Sequence, residues 1–207
     1  DQILRIRVRV DTNNNYTASS NVSFDNIVYN YTARPKFSFD FDDGRKNVSD
    51  MAFPIMQANG QRGTIFVSVN EIDNGAAAIN LSEMHNLYDA GWDISSHSVD
   101  HVDLTEKTDS GLTTELNDSF GFYGTNGFQR SKYFIAYPVG YYDNRVLNFT
   151  RTAGYLIGRT VNDDTFNPVV EPQEFGTTQL RLGEYGSGYT DAQIMAQINL
   201  TIARQGS

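Results

Sequence analysis

Apolar and polar positions along this chain fall into two regimes. Near the N-terminus, ILRIRVRV places Leu4, Ile6, Val8 and Val10 on one face and Arg5, Arg7 and Arg9 on the other. That is the period of two expected of a half-buried strand. The polar stretch DTNNNYTASSN reads as a loop and FDNIVYNYT as a second strand. Two strands alone are marginally stable. Residues 1–33 are therefore expected to be either the tail of an upstream β-sandwich module or an antiparallel pair packed on the main domain, with Arg34-Pro35 as the junction.

From Lys36 the pattern changes to strand then helix, repeated. Strands are expected at residues 36–42, 63–69, 92–97, 132–138, 156–161 and 179–185. Helices are expected at 47–60, 81–91, the first part of 112–124, 144–155 and 190–206. Gly91 and Gly206 close two of them, and Thr190 caps the last. Strands that alternate with helices predict a parallel sheet, either a βα barrel or an open α/β sheet. Active residues in such folds gather at the C-terminal ends of the strands. Asp42-Asp43, His97 and Pro138–Gly140 all fall at such ends. The last helix stops where another strand is due, so that strand is expected beyond Ser207, and a domain over residues 34–207 is expected to lack it.

Composition narrows the setting. A chain of 207 residues fits one domain with a small addition. A formal net charge of −9 argues against a nucleic-acid partner, which calls for clustered Lys and Arg. No apolar run approaches the roughly 20 residues of a membrane span. Asp1 is not a natural start, so the chain is expected to be a mature or excised piece. There is no cysteine, so any metal must use His, Asp, Glu or carbonyl oxygen. Asn-x-Ser/Thr occurs at Asn15, Asn21, Asn30, Asn47, Asn80, Asn117, Asn148 and Asn199. Eight is well above the roughly three that the Asn, Ser and Thr content predicts by chance. An extracellular or cell-surface glycoprotein is the expectation.

The candidate chemistry begins in KFSFDFDDGRK. Phe37, Phe39 and Phe41 share one face of a strand, and Ser38, Asp40 and Asp42 share the other. Asp43-Gly44 then reads as a turn. Adjacent carboxylates at a buried strand end need a cationic partner, either an Arg or Lys or a metal ion. SSHSVDH holds two of the chain's three histidines, His97 and His101, four apart. If the segment turns helically, that spacing lets two imidazoles converge on one ion.

FDFDDG, DAGWDISSHSVDHVDLT and FIAYPVG, in that order and spacing, resemble the motifs of the polysaccharide deacetylases, the nodulation-type chitooligosaccharide deacetylase domain of carbohydrate esterase family 4. The resemblance runs from about Lys36 to Ser207. It implies a distorted (β/α) barrel and metal-dependent removal of acetyl groups from an N-acetylated polysaccharide, whether chitin-like, peptidoglycan or poly-N-acetylglucosamine. It implies that Asp43, His97 and His101 hold a divalent metal, with Zn²⁺ the first candidate, and that Asp42 is the general base. It also implies that Pro138, Val139 and Gly140 shape the acetyl pocket, the Val139 N–H helping to bind the oxyanion.

Three departures stand out. Ala136 occupies the place of the family's third-motif Arg, which orients the base; Arg159 and Arg181 are both candidates to replace it. Val139 stands where an aromatic residue is usual. The family's late catalytic histidine has no counterpart after His101, and the piece is expected to be weakly active or inactive. The alternative reading is a catalytically impaired carbohydrate-binding or cell-surface protein on the same scaffold. Tyr141 and Tyr142 are candidates for a sugar subsite or for ordinary packing. His85 is expected on a helix surface, Trp92 in the core, and Asp40 facing solvent or paired with an arginine.

Overall fold

The structure, a computed structural model of the chain, describes residues 38–161, 178–182 and 190–205. The expected strand pair over residues 1–33 and its junction lie outside the described residues. Six strands, β1 (Asp40–Phe41), β2 (Thr64–Val67), β3 (Asp93–Ser96), β4 (Phe134–Ala136), β5 (Ile157–Val161) and β6 (Thr178–Leu182), pair in sequence order. Every pair is parallel. Open doubly wound sheets reverse their strand order at a switch point. This sheet does not, so the choice left by the sequence falls to a distorted (β/α) barrel. The distortion is local: β3 and β4 register only through Ser96 and Ile135.

Helices fill the four crossovers from β1 to β5. A π-helical turn at Val48–Ala52 runs into α1 (Phe53–Ala58), and α2 (Leu81–Asp89) follows β2. After β3 come α3 (Asp109–Thr113), a second π-helical turn at Thr114–Asp118, and α4 (Ser119–Thr125). Then α5 (Asn144–Ala153) and α6 (Asp191–Gln205) follow β4 and β6. Asn80 and Glu83 form a reciprocal capping box at the start of α2, at 2.9 Å each way. Met84 and Leu87 make its buried face. The third crossover begins earlier than the apolar pattern implies. The Thr108 hydroxyl accepts the Gly111 N–H at 3.2 Å, so the helix starts at Asp109 within a polar stretch. Thr190 does cap α6, accepting from the Gln193 N–H at 3.3 Å. Among the described residues, no helix is long and apolar enough to cross a membrane.

Two hydrophobic clusters brace the sheet. One joins Ile65, Val67, Ile79, Met84, Leu87, Ile94 and Phe128 around the fully buried Trp92, which stacks on Phe41 at 5.7 Å and meets Phe53 edge-on at 5.8 Å. The other joins Leu104, Leu112, Leu116, Ile135, Tyr137, Val146 and Tyr155. Gly158 is needed here, since a Cβ at that position would overlap the Tyr137 ring. The period-two reading of residues 37–41 holds only in part. Phe41 packs against the core, but Phe39 is 41% exposed, although its carbonyl accepts the Thr64 N–H of β2 at 2.8 Å.

Candidate functional site

The three strand ends converge. Past β1, the chain turns through Asp43 and Gly44 at φ 66° and 67°. Aspartate tolerates that left-handed conformation better than most residues. At position 44 the turn requires glycine, because a Cβ would come within 2.5 Å of Val67 Cγ1 on β2. Past β3, the His97 N–H continues the ladder to the Val67 carbonyl at 3.0 Å. His97 is 3% exposed, and its Nδ1 lies 2.8 Å from the carbonyl oxygen of Ala136 on β4. A carbonyl has no proton to give, so Nδ1 carries the hydrogen and Nε2 keeps a lone pair.

That lone pair faces Asp43. His97 Nε2 is 3.6 Å, and His101 Nε2 3.1 Å, from Asp43 Oδ1. The ligating atoms of all three lie within 4.8 Å of one another. The segment linking the two histidines is not the helical turn their spacing implied. It is a loop in which Ser98 and His101 take left-handed conformations, at φ 66° and 53°. A tetrahedral ion with ligands at about 2.1 Å separates its donor atoms by about 3.4 Å. The two distances bracket that value, and imidazole with carboxylate is a donor set suited to zinc-like divalent ions. When the two imidazoles are protonated and no metal lies between them, the Asp43 carboxyl is held down at about 2, first by the hydrogen bond from His97 and further by charge on His101, His97 and Arg45, against the opposing effect of partial burial.

Asp42 faces elsewhere: its carboxylate accepts from Arg159 Nη2. Arg159 lies on β5 in register with Ala136, is 8% exposed, and sits over the Phe66 ring at 4.8 Å. Of the two candidate arginines, Arg159 is the one seen to touch Asp42; the side chain of Arg181 lies outside the described residues. Asp40 accepts from Ser38 Oγ at 2.9 Å, and burial raises its pKa against the lowering effects of Ser38 and the Arg159 charge.

Pro138, Val139 and Gly140 form a tight turn directly after β4, with Val139 left-handed at φ 52° and half-exposed. The turn is pinned at its base. The Gly140 N–H donates to the Tyr137 carbonyl at 2.9 Å, the Gly140 carbonyl accepts from the Thr160 hydroxyl, and the Tyr137 N–H donates to the Arg159 carbonyl at 2.9 Å. Tyr141 is 61% exposed, whereas Tyr142 packs with Tyr137 at 5.5 Å in the second cluster. His85 stacks on Phe128 at 4.9 Å, away from the other histidines. The role of the Ala136 carbonyl was not legible beforehand, because a backbone group leaves no residue signature.

A carboxylate and two imidazoles at the C-terminal ends of parallel strands, beside a second carboxylate held by an arginine, define a candidate divalent-metal centre on a (β/α) barrel. The chain belongs to the polysaccharide deacetylase family, whose profile matches residues 30–158. It is 30% identical over 120 residues to YxkH of Bacillus subtilis (strain 168), covering 58% of this chain and 42% of that protein. It is 25% identical over 95 residues to a chitin deacetylase of Arthroderma benhamiae, covering 46% of this chain and 25% of that protein. It therefore spans less than half the length of these curated relatives. Among solved structures, the deacetylase PplD of Streptococcus pyogenes in complex with acetate superposes with a TM-score of 0.58 at 28% identity, over 61% of this chain and 56% of that one.

Proposed function

We propose that this protein removes N-acetyl groups from a polysaccharide by hydrolysis, using one divalent cation, zinc first, held by Asp43, His97 and His101. The observation that carries the reading is the meeting of one Asp43 oxygen with the Nε2 atoms of two histidines from another strand end. When bound, such a cation would supply Lewis acidity toward the acetyl carbonyl and lower the pKa of a water to about 7. The chain's own groups supply the rest. Asp42 follows β1 beside Asp43 but is turned to Arg159, outside the Asp43, His97 and His101 cluster, and it is assigned the role of general base that takes the water's proton. Arg159 fixes the direction of that carboxylate through a charge-assisted hydrogen bond. The Ala136 carbonyl holds His97 in the tautomer that presents Nε2. The Val139 amide is assigned to the developing oxyanion, a role worth about 3–4 kcal/mol per donor.

The substrate is assigned to the chitin-like, peptidoglycan or poly-N-acetylglucosamine class, with Tyr141 as an exposed ring for a sugar face. The chitin deacetylase among the relatives supports that class. The site of action is assigned to the cell surface or beyond. The excess of glycosylation sequons supports this, and Asn47, Asn117, Asn148 and Asn199 are exposed. Loss of the third-motif Arg no longer favours an impaired protein, because Arg159 occupies the neighbouring registered position. The test is acetate release by the full-length, zinc-loaded protein from chitooligosaccharides, from peptidoglycan fragments and from poly-N-acetylglucosamine. Release from at least one is expected, abolished by chelation. No release from any of the three, with zinc bound, would overturn the reading.

A further inference from the structure

Glu115 is buried, with 2% of its side chain exposed, in the π-helical turn at Thr114–Asp118. Nothing in the chemistry above uses it. Its neighbours on the helix, Leu112 and Leu116, are fully buried and apolar, so an apolar residue would satisfy packing there. A buried carboxylate is costly unless its oxygens are paired and hydrogen-bonded. Both oxygens here are used. Oε2 accepts the N–H groups of Val99 at 2.9 Å and Asp100 at 3.0 Å, and Oε1 lies 3.1 Å from Lys107 Nζ.

Val99 and Asp100 are the middle of the loop that joins His97 to His101. Several of the loop's other backbone groups are also taken. Ser68 Oγ donates to the His97 carbonyl at 2.7 Å, and the Val69 and Asn70 N–H groups donate to the carbonyls of Ser98 and Val99 at 3.1 and 3.0 Å. The Ser98 N–H donates to Ser96 Oγ at 3.2 Å. The loop needs these anchors, because non-glycine residues at Ser98 and His101 hold left-handed conformations that are disfavoured in isolation. The two consecutive N–H groups that Glu115 receives are the last before His101 swings back toward Asp43. π-Helical turns re-aim side chains inside helices and recur at functional sites.

We propose that Glu115 is a positioning residue for the metal ligand His101. Its carboxylate, neutralised by Lys107, gathers two loop amides and so keeps both imidazoles facing Asp43. This rests on the reading of Asp43, His97 and His101 as a metal site. The role is second to the ligands themselves, and outer partners of that kind typically change metal affinity about 10- to 100-fold.

The test is zinc affinity, measured by competition with a chromophoric chelator, together with the melting temperature of the metal-free protein. The variants are Glu115→Gln, Glu115→Asp and, as a control, Ser131→Ala. The control removes buried hydrogen bonds to the Ile94 N–H and carbonyl, at 3.0 and 2.6 Å, without touching the loop. Glu115→Gln is expected to bind zinc about 10- to 100-fold more weakly. Glu115→Asp, which keeps the charge but shortens the reach, should fall between it and wild type, and it carries the test if Glu115→Gln does not fold. Ser131→Ala should melt lower at wild-type affinity. Wild-type protein that binds no zinc would sink the metal-site reading and this inference together. Wild type that binds, with both Glu115 variants within twofold of it, overturns this inference alone. Equal weakening in Ser131→Ala also overturns it, by assigning the effect to general loosening.

Discussion

Two loops border the candidate site, and they are built in opposite ways. From His97 to Asp100, the carbonyl or amide groups go one after another to Ser68, Val69, Asn70, Ser96 and the buried Glu115, and His97 itself is 3% exposed. From Pro138 to Tyr142, the backbone bonds among the described residues pin the loop at its base, to Tyr137 and Thr160, while Val139 and Tyr141 are 50% and 61% exposed. The contrast follows from what each loop is assigned to do. A metal ligand must hold its direction to within a fraction of an ångström. A surface for a polymer must stay open, and exposed aromatic rings there cost little stability. The first loop should therefore fail through metal and chemistry, and the second through substrate.

The largest effect is expected beside the fixed loop. Asp42→Asn keeps the shape but removes the base, so acetate release should fall by about 10²–10⁴-fold while zinc content is unchanged. If zinc is lost along with activity, Asp42 is a ligand and the separation of roles from Asp43 fails. Arg159→Met should lower kcat by about 10-fold or more with zinc retained, as loss of an outer partner typically does. It should also cost about 1–3 kcal/mol of stability, because a partly buried carboxylate loses its charged partner. Wild-type kcat in this variant would remove Arg159 from the site.

A pH experiment probes the same region without substrate. The Asp43 carboxyl titrates at about 2 in the folded protein against an ordinary value of 3.8. A depressed carboxyl stabilises the fold above its unfolded pKa, and that stabilisation is lost as pH falls through the folded value. Metal-free wild type should therefore lose urea stability between about pH 4 and about pH 2 more steeply than Asp43→Asn does. Parallel curves for the two proteins would contradict the contact between Asp43 and the imidazoles. The smallest effect belongs to the open loop. Tyr141→Ala should change stability by no more than about 0.5 kcal/mol, as exposed substitutions do. It should raise KM for longer oligosaccharides a few-fold, leaving kcat and zinc untouched. A fall in kcat with unchanged KM would mean that the open loop shares the work of the fixed one.

What the sequence disclosed follows the range of the interactions. Asp42, Asp43 and His97 could be placed at strand ends because apolar runs stop there and Asp-Gly marks a turn, all within a few residues. That strands and helices alternate was legible for the same reason, but the barrel-type strand order could not be told from that of an open doubly wound sheet, since it depends on which distant strands pair. The start of α3 was missed because its signal is one hydroxyl, Thr108, in a polar stretch with no apolar periodicity. Arg159 and Arg181 could not be separated by pattern. Their difference lies in register, which sets Arg159 beside Ala136. No pattern in the sequence singles out Glu115; its burial, beside exposed Thr114, Asn117 and Asp118, depends on the fold of the loop against its helix. The helical convergence inferred for His97 and His101 reached the right neighbours by the wrong backbone.

The central claim is that one carboxylate and two imidazoles from separate strand ends bind a single cation. The most direct measurement is the metal content, by plasma mass spectrometry, of purified wild-type, Asp43→Ala and His97→Ala proteins after equilibration with zinc and gel filtration. About one equivalent in wild type and almost none in either variant is the result expected for a three-ligand site. Wild-type protein that elutes without zinc, or variants that keep a full equivalent, would contradict it.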